Sequence, residues 1–102
     1  MYRASDEREH DRWLTELDQA ADRLELSTAA RSRAADLFLS TVPEGDRSKP
    51  ACLAAALYVG ALVEGDRRSQ AAVADAVGVA RLTVQQRWKD LLEEAGLEPP
   101  RW

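Results

Sequence analysis

The stretch Arg67–Leu92, RRSQAAVADAVGVARLTVQQRWKDLL, decides how this chain folds. It reads as two short helices separated by a tight turn at Val77-Gly78-Val79. Ser69 is a natural N-cap, because its hydroxyl can accept from an unpaired amide of the first turn. Val73 and Val77 stand four apart and share a face. Gly78 follows where a left-handed residue closes a helix without a Cβ clash. Val84, Trp88, Leu91 and Leu92 then recur at i, i+4, i+7 and i+8, the stripe of a second helix. Ala74 and Ala76 are small where two helices have to cross.

Helix, glycine turn and helix is the layout of a helix-turn-helix DNA reader, here over residues 69–93. Periodicity alone fits a plain helical hairpin equally well. Charge separates the two readings. Between Arg67 and Lys89 stand five cations, Arg67, Arg68, Arg81, Arg87 and Lys89, against one acid, Asp75, in a chain of formal net charge −4. A local basic patch in an acidic protein favours a phosphate-facing surface over an ordinary solvated face.

Working outward, residues 1–102 make one domain, long enough for a single core. Asp6–Leu26 reads as a first helix, with Trp13, Leu14, Leu17, Ala21 and Leu24 on its apolar side. Glu9, Asp11, Arg12, Glu16, Asp18, Asp22 and Arg23 form its wet side, and His10 reads as a surface histidine among them. Ser27 or Thr28 caps a second helix through Ala30, Ala34, Leu37, Phe38 and Val42, stopping at Pro43. Arg31 and Arg33 decorate its exposed side, and Glu44-Gly45-Asp46 is a turn. Pro50 suits the first turn of a third helix. Ala51–Val63 is apolar all round and should be the buried centre, its alanines and Gly60 permitting close approach. Glu64-Gly65-Asp66 ends it. After Ala95-Gly96 a helix stop is expected, followed by Pro99 and Pro100; Trp102 fits either the core or an exposed anchor. The fold class is therefore all-α, five helices around a buried third.

Composition narrows the function. Ala51–Val63, the longest uncharged apolar run, spans 13 residues, too short to cross a bilayer. The charged N-terminus lacks a signal-peptide apolar region, so a cytoplasmic protein without membrane contact is expected. Cys52, the lone cysteine, reads as a small buried thiol. One cysteine and one histidine rule out a zinc site of the usual kind, and neither metal nor cofactor is expected. No Gly-rich phosphate loop or nucleophile–base pair is present, and Glu93-Glu94 point different ways on a helix; an enzyme is not expected. Residues 1–46 carry net −5 and residues 47–102 net +1. Eighteen acids with only two lysines fit a high-salt cytoplasm, an expectation that unchanged stability between low and molar salt would overturn.

Ser48-Lys49-Pro50 and then AAALYVGALVEGDRRSQAAVADAVGVARLTVQQRWKDLL resemble the second cyclin-like repeat of archaeal transcription initiation factor B, counterpart of eukaryotic transcription factor IIB. The likeness is most specific from Ala54 to Leu92. It implies a five-helix cyclin-like bundle that sits beside TATA-binding protein and reads promoter DNA with its last two helices. Carried over by position, Arg81, Leu82 and Gln85 are the base readers, with Thr83, Arg87 and Lys89 as nearby polar or phosphate contacts. Arg67 and Arg68 can reach backbone phosphates; Ser69, Gln70 and Gln86 complete the candidate set.

Three residues depart from the family pattern. Ala80 stands where a Ser or Thr cap is usual, at a cost of roughly 1 kcal/mol. Arg81 stands where an acid is common, opposing the helix dipole while favouring DNA. Gln85 replaces a base-reading Arg, which moves the expected preference from guanine towards adenine. The zinc ribbon, reader loop and first cyclin repeat of the full factor are not in the sequence, so a stand-alone single-repeat relative is expected. Two functions remain: a DNA-binding transcription regulator, dimeric if a second copy replaces the second repeat, or a protein-interaction module binding TATA-binding protein or another transcription component without sequence-specific reading.

Overall fold

The computed structural model describes residues 4–41 and 48–96, with side chains described from Asp11 onward. These residues form five α-helices, α1 (Ala4–Arg23), α2 (Thr28–Thr41), α3 (Lys49–Val63), α4 (Gln70–Val77) and α5 (Arg81–Glu94), and no strand. No helix among them is long and apolar enough to cross a membrane. The expected positions Val42, Pro43, Glu44-Gly45-Asp46, Pro99, Pro100 and Trp102, and the side chain of His10, lie outside the described residues.

Helix α3 is the axis of the bundle, and it touches all four of the others. Residues Cys52 to Ala61 are buried without a break. A helix apolar on every side has to be surrounded, and the amphipathic helices supply the cover. Trp13, Leu17, Ala20, Ala21 and Leu24 come from α1 and its exit; Ala30, Ala34, Leu37 and Phe38 from α2; Val84, Trp88, Leu91 and Leu92 from α5. Gly60 is where α2 comes closest. A Cβ built there would stand 2.8 Å from the Ala34 amide nitrogen and 2.9 Å from its Cα. These are backbone atoms, so no side-chain rotation could relieve the clash.

The helix ends follow local chemistry. Ser27 Oγ accepts from Ala30 N–H at 3.2 Å and opens α2. Pro50 sits in the first turn of α3. Gly65, at φ +74°, closes α3, with the Asp66 amide reaching back to Ala61 O at 2.8 Å. The first helix departs from expectation, because it stops at Arg23 rather than running to Leu26. Glu25 adopts a left-handed φ of 54°, and Leu26 N–H bonds back to Ala21 O at 3.0 Å. This is a Schellman closure with a glutamate where glycine is the usual residue. Leu24 and Leu26 remain in the core as parts of the turn.

Candidate nucleic-acid interface

Helices α4 and α5 are joined by three residues, Gly78-Val79-Ala80. Ser69, extended at φ −67° and ψ 155°, accepts from Ala72 N–H through its hydroxyl at 3.0 Å. Gly78, at φ +88°, ends α4; its own amide and that of Val79 both bond to Ala74 O, at 2.8 and 3.0 Å. Ala80 holds the N-cap backbone conformation of α5 with no side-chain cap bond. Val73, Ala74 and Ala76 of α4 are buried, as expected of a helix crossing closely.

Buried Val84, Trp88, Leu91 and Leu92 fix the rotation of α5 and so decide where its polar residues go. Arg81, Leu82, Gln85, Gln86 and Lys89 are all exposed. Leu82, 57% exposed, is one of two large hydrophobic side chains in the open among the described residues, the other being Val63. Arg81, Gln85 and Lys89, at i, i+4 and i+8, share one ridge. With Gln70 at the start of α4 and Trp88 between the helices, they line a groove of about 400 Å³. The indole there meets Tyr58 edge-on, centroids 5.4 Å apart at 64°, and Lys89 Nζ stands 5.6 Å from the ring centroid.

The rest of the candidate set is not brought to this ridge. Thr83 and Arg87 are half-buried on another flank of α5. Arg87 lies close enough to Cys52 to act on its thiol: burial pushes the Cys52 pKa up, and Thr41 and then Arg87 pull it partly back. Cys52 is a buried free thiol, 3.5 Å from Thr41 Oγ1. Arg67 is exposed.

Arg68 is engaged within the fold. Its Nε donates to Leu24 O at 2.9 Å and its Nη2 to Glu25 O at 3.2 Å. Its Nη1 donates to Asp66 O at 3.0 Å, to Asp66 Oδ1 at 2.7 Å and to Arg67 O at 3.2 Å. Asp66 Oδ2 accepts from Ser27 N–H at 2.8 Å, and that bond, with Arg68 second, holds the Asp66 carboxyl below its ordinary range. Arg68 and Asp66 thus clamp the α1–α2 corner to the α3–α4 corner. Arg23 adds a second link, donating to Ala76 O at 2.9 Å near the end of α4. Neither link had a sequence signal, because the partners lie 44 and 53 residues apart.

Among the described residues no three His, Cys, Asp or Glu side chains converge as metal ligands would. An all-helical bundle wrapped on a buried third helix, ending in two short helices across a glycine turn, defines a cyclin-like repeat. The family model for the transcription factor TFIIB repeat matches residues 8–94, most of the chain, and the chain belongs to that family. No curated protein sequence matches it. TFIIB repeats are transcription factor domains rather than enzymes, and DNA and TATA-binding protein are general partners of the family.

Proposed function

We propose that the protein is a DNA-binding transcription regulator, a single domain over residues 1–102 whose helix-turn-helix, residues 69–93, lays the exposed face of α5 in the major groove. One observation carries the reading. In a chain of the TFIIB repeat family, Arg81, Leu82, Gln85, Gln86 and Lys89 stand together in solvent while the opposite face of α5 is anchored in the core. A helix held that way presents its side chains to a groove with little reorganisation. Isolated binding should fall steeply with salt, since each phosphate contact releases a counterion. Fluorescence anisotropy with a duplex library tests this. Arg81→Ala is expected to weaken binding more than Arg87→Ala, whose side chain lies towards Cys52. Binding unaffected by Arg81→Ala, Lys89→Ala and their combination would sink the proposal. Selection of preferred sites should enrich adenine opposite Gln85, whose carboxamide pairs with its major-groove edge.

A protein-interaction module is the second reading. It is favoured by exposed Asp11, Glu16, Asp18 and Asp22 on α1, in the half of the chain that carries net −5. Such a surface repels DNA and suits a basic partner, for which TATA-binding protein is the family's precedent. Capture of that protein without nucleic acid would support it. A homodimer would give the regulator the second repeat, and sedimentation equilibrium tests that directly.

A further inference from the structure

The groove between α4 and α5 divides the work of the exposed face. Its lining is Gln70, Arg81, Gln85, Trp88 and Lys89: two cations, two carboxamides and an indole, without a carboxylate. Elsewhere most described arginines have an acid or carbonyl partner. Arg12 faces Glu16, Arg31 faces Asp18 and Asp22, Arg33 faces Glu64, and Arg68 faces Asp66; Arg23 holds Ala76 O. Arg81 and Lys89 have no carboxylate partner among the described residues. The groove therefore gathers two cations that no carboxylate among the described residues neutralises.

We infer that Gln70, Arg81 and Lys89 form a clamp for one phosphate group, seated against the Trp88 edge of the groove. The inference rests on the nucleic-acid reading for its source of phosphate, a backbone phosphodiester, although the same chemistry would hold free phosphate. Two cations bracketing an oxyanion, with a carboxamide N–H₂ as an added donor, give charge-assisted hydrogen bonds from several sides. Gln70 opens α4, so the positive end of that helix adds to the field. Lys89 lies along the indole, which orients its ammonium. The assignment moves Arg81 from reading sequence to fixing the register of α5 on the duplex. Leu82, Gln85 and Gln86 are left to meet base edges. Gln85 both lines the groove and is exposed, and so connects the two tasks.

Two measurements on the full chain test the clamp. Inorganic phosphate is titrated while the Trp88 indole and the Gln70 side-chain amide are followed by NMR. Saturable shifts are expected in the wild type and none in Arg81→Ala/Lys89→Ala, whose exposed substitutions leave the far-UV circular dichroism unchanged. Duplex affinity is then measured for a selected and a scrambled sequence over a range of salt. Arg81→Ala and Lys89→Ala should each weaken both duplexes by the same factor, about tenfold at low salt, and reduce the salt slope by roughly one. Absence of a saturable phosphate response overturns the clamp, and so does an Arg81→Ala effect confined to one base pair. Saturable phosphate binding with no affinity for any duplex upholds the clamp, identifies its ligand as free phosphate and rejects the DNA reading.

Discussion

At position 68 a guanidinium closes a helix that ended more than forty residues earlier. Leu24 and Glu25 present their carbonyls at the α1 exit, and Arg68 takes both. The left-handed Glu25 costs of order 1 kcal/mol or more in a residue with a Cβ, and the arginine helps to hold it. Arg68→Ala should therefore lower stability by about 2 kcal/mol, by loss of charge-assisted bonds to part-buried carbonyls, whereas Arg81→Ala should stay within roughly 0.5 kcal/mol. Urea unfolding of the two variants measures the difference. Asp66 adds a pH dependence of known sign. Its folded pKa is lowered, by Ser27 N–H first and Arg68 second. Its contribution is thus complete above the unfolded value of about 4 and is lost as the pH falls through the lower folded value. Asp66→Asn should flatten that part of the acid limb when urea midpoints are followed downward from about pH 5.

Helix α5 shows what a missing cap leaves behind. Ala80 already has the extended backbone of an N-cap, so only the accepting oxygen is absent. Ala80→Ser should stabilise the protein by about 1 kcal/mol, read as a higher thermal midpoint, with no change in duplex affinity. The same local chemistry explains how much of the fold was legible in the sequence. Ser27, Pro50, Gly65, Ser69 and Gly78 act on neighbours within a few residues, and the elements they bound lie where those signals put them. Glu25 gives no such signal, since a glutamate in a left-handed turn is supported by Arg68 from elsewhere in the chain; α1 accordingly reads too long. The candidate site divides along the same line. The stripe Val84, Trp88, Leu91 and Leu92 sets the rotation of α5 and hence the exposure of Arg81, Gln85 and Lys89. The engagement of Arg68 depends on tertiary neighbours that a run of basic residues does not reveal.

For the molecule as a whole, charge is graded along its outer surface. The first nine residues of α5 carry Arg81, Arg87 and Lys89, while its last five include the exposed Asp90, Glu93 and Glu94. A duplex approaching α5 side-on would meet those acids, so the proposed docking is tipped towards the start of the helix. Asp90→Asn, Glu93→Gln and Glu94→Gln together should raise affinity for any duplex several-fold at low salt, with the gain shrinking as screening increases. The close crossing of Gly60 on Ala34 governs something different, the order in which the bundle assembles. It joins two helices that are neighbours in sequence, so little loop-closure entropy opposes its formation. A methyl at Gly60 would meet the Ala34 backbone at 2.8 and 2.9 Å, an overpacking cost of roughly 1–3 kcal/mol. In stopped-flow kinetics Gly60→Ala should place most of that loss in a slower folding rate and leave unfolding nearly unchanged. The α2–α3 hairpin would then be the nucleus on which the later helices, including the one proposed to meet DNA, condense.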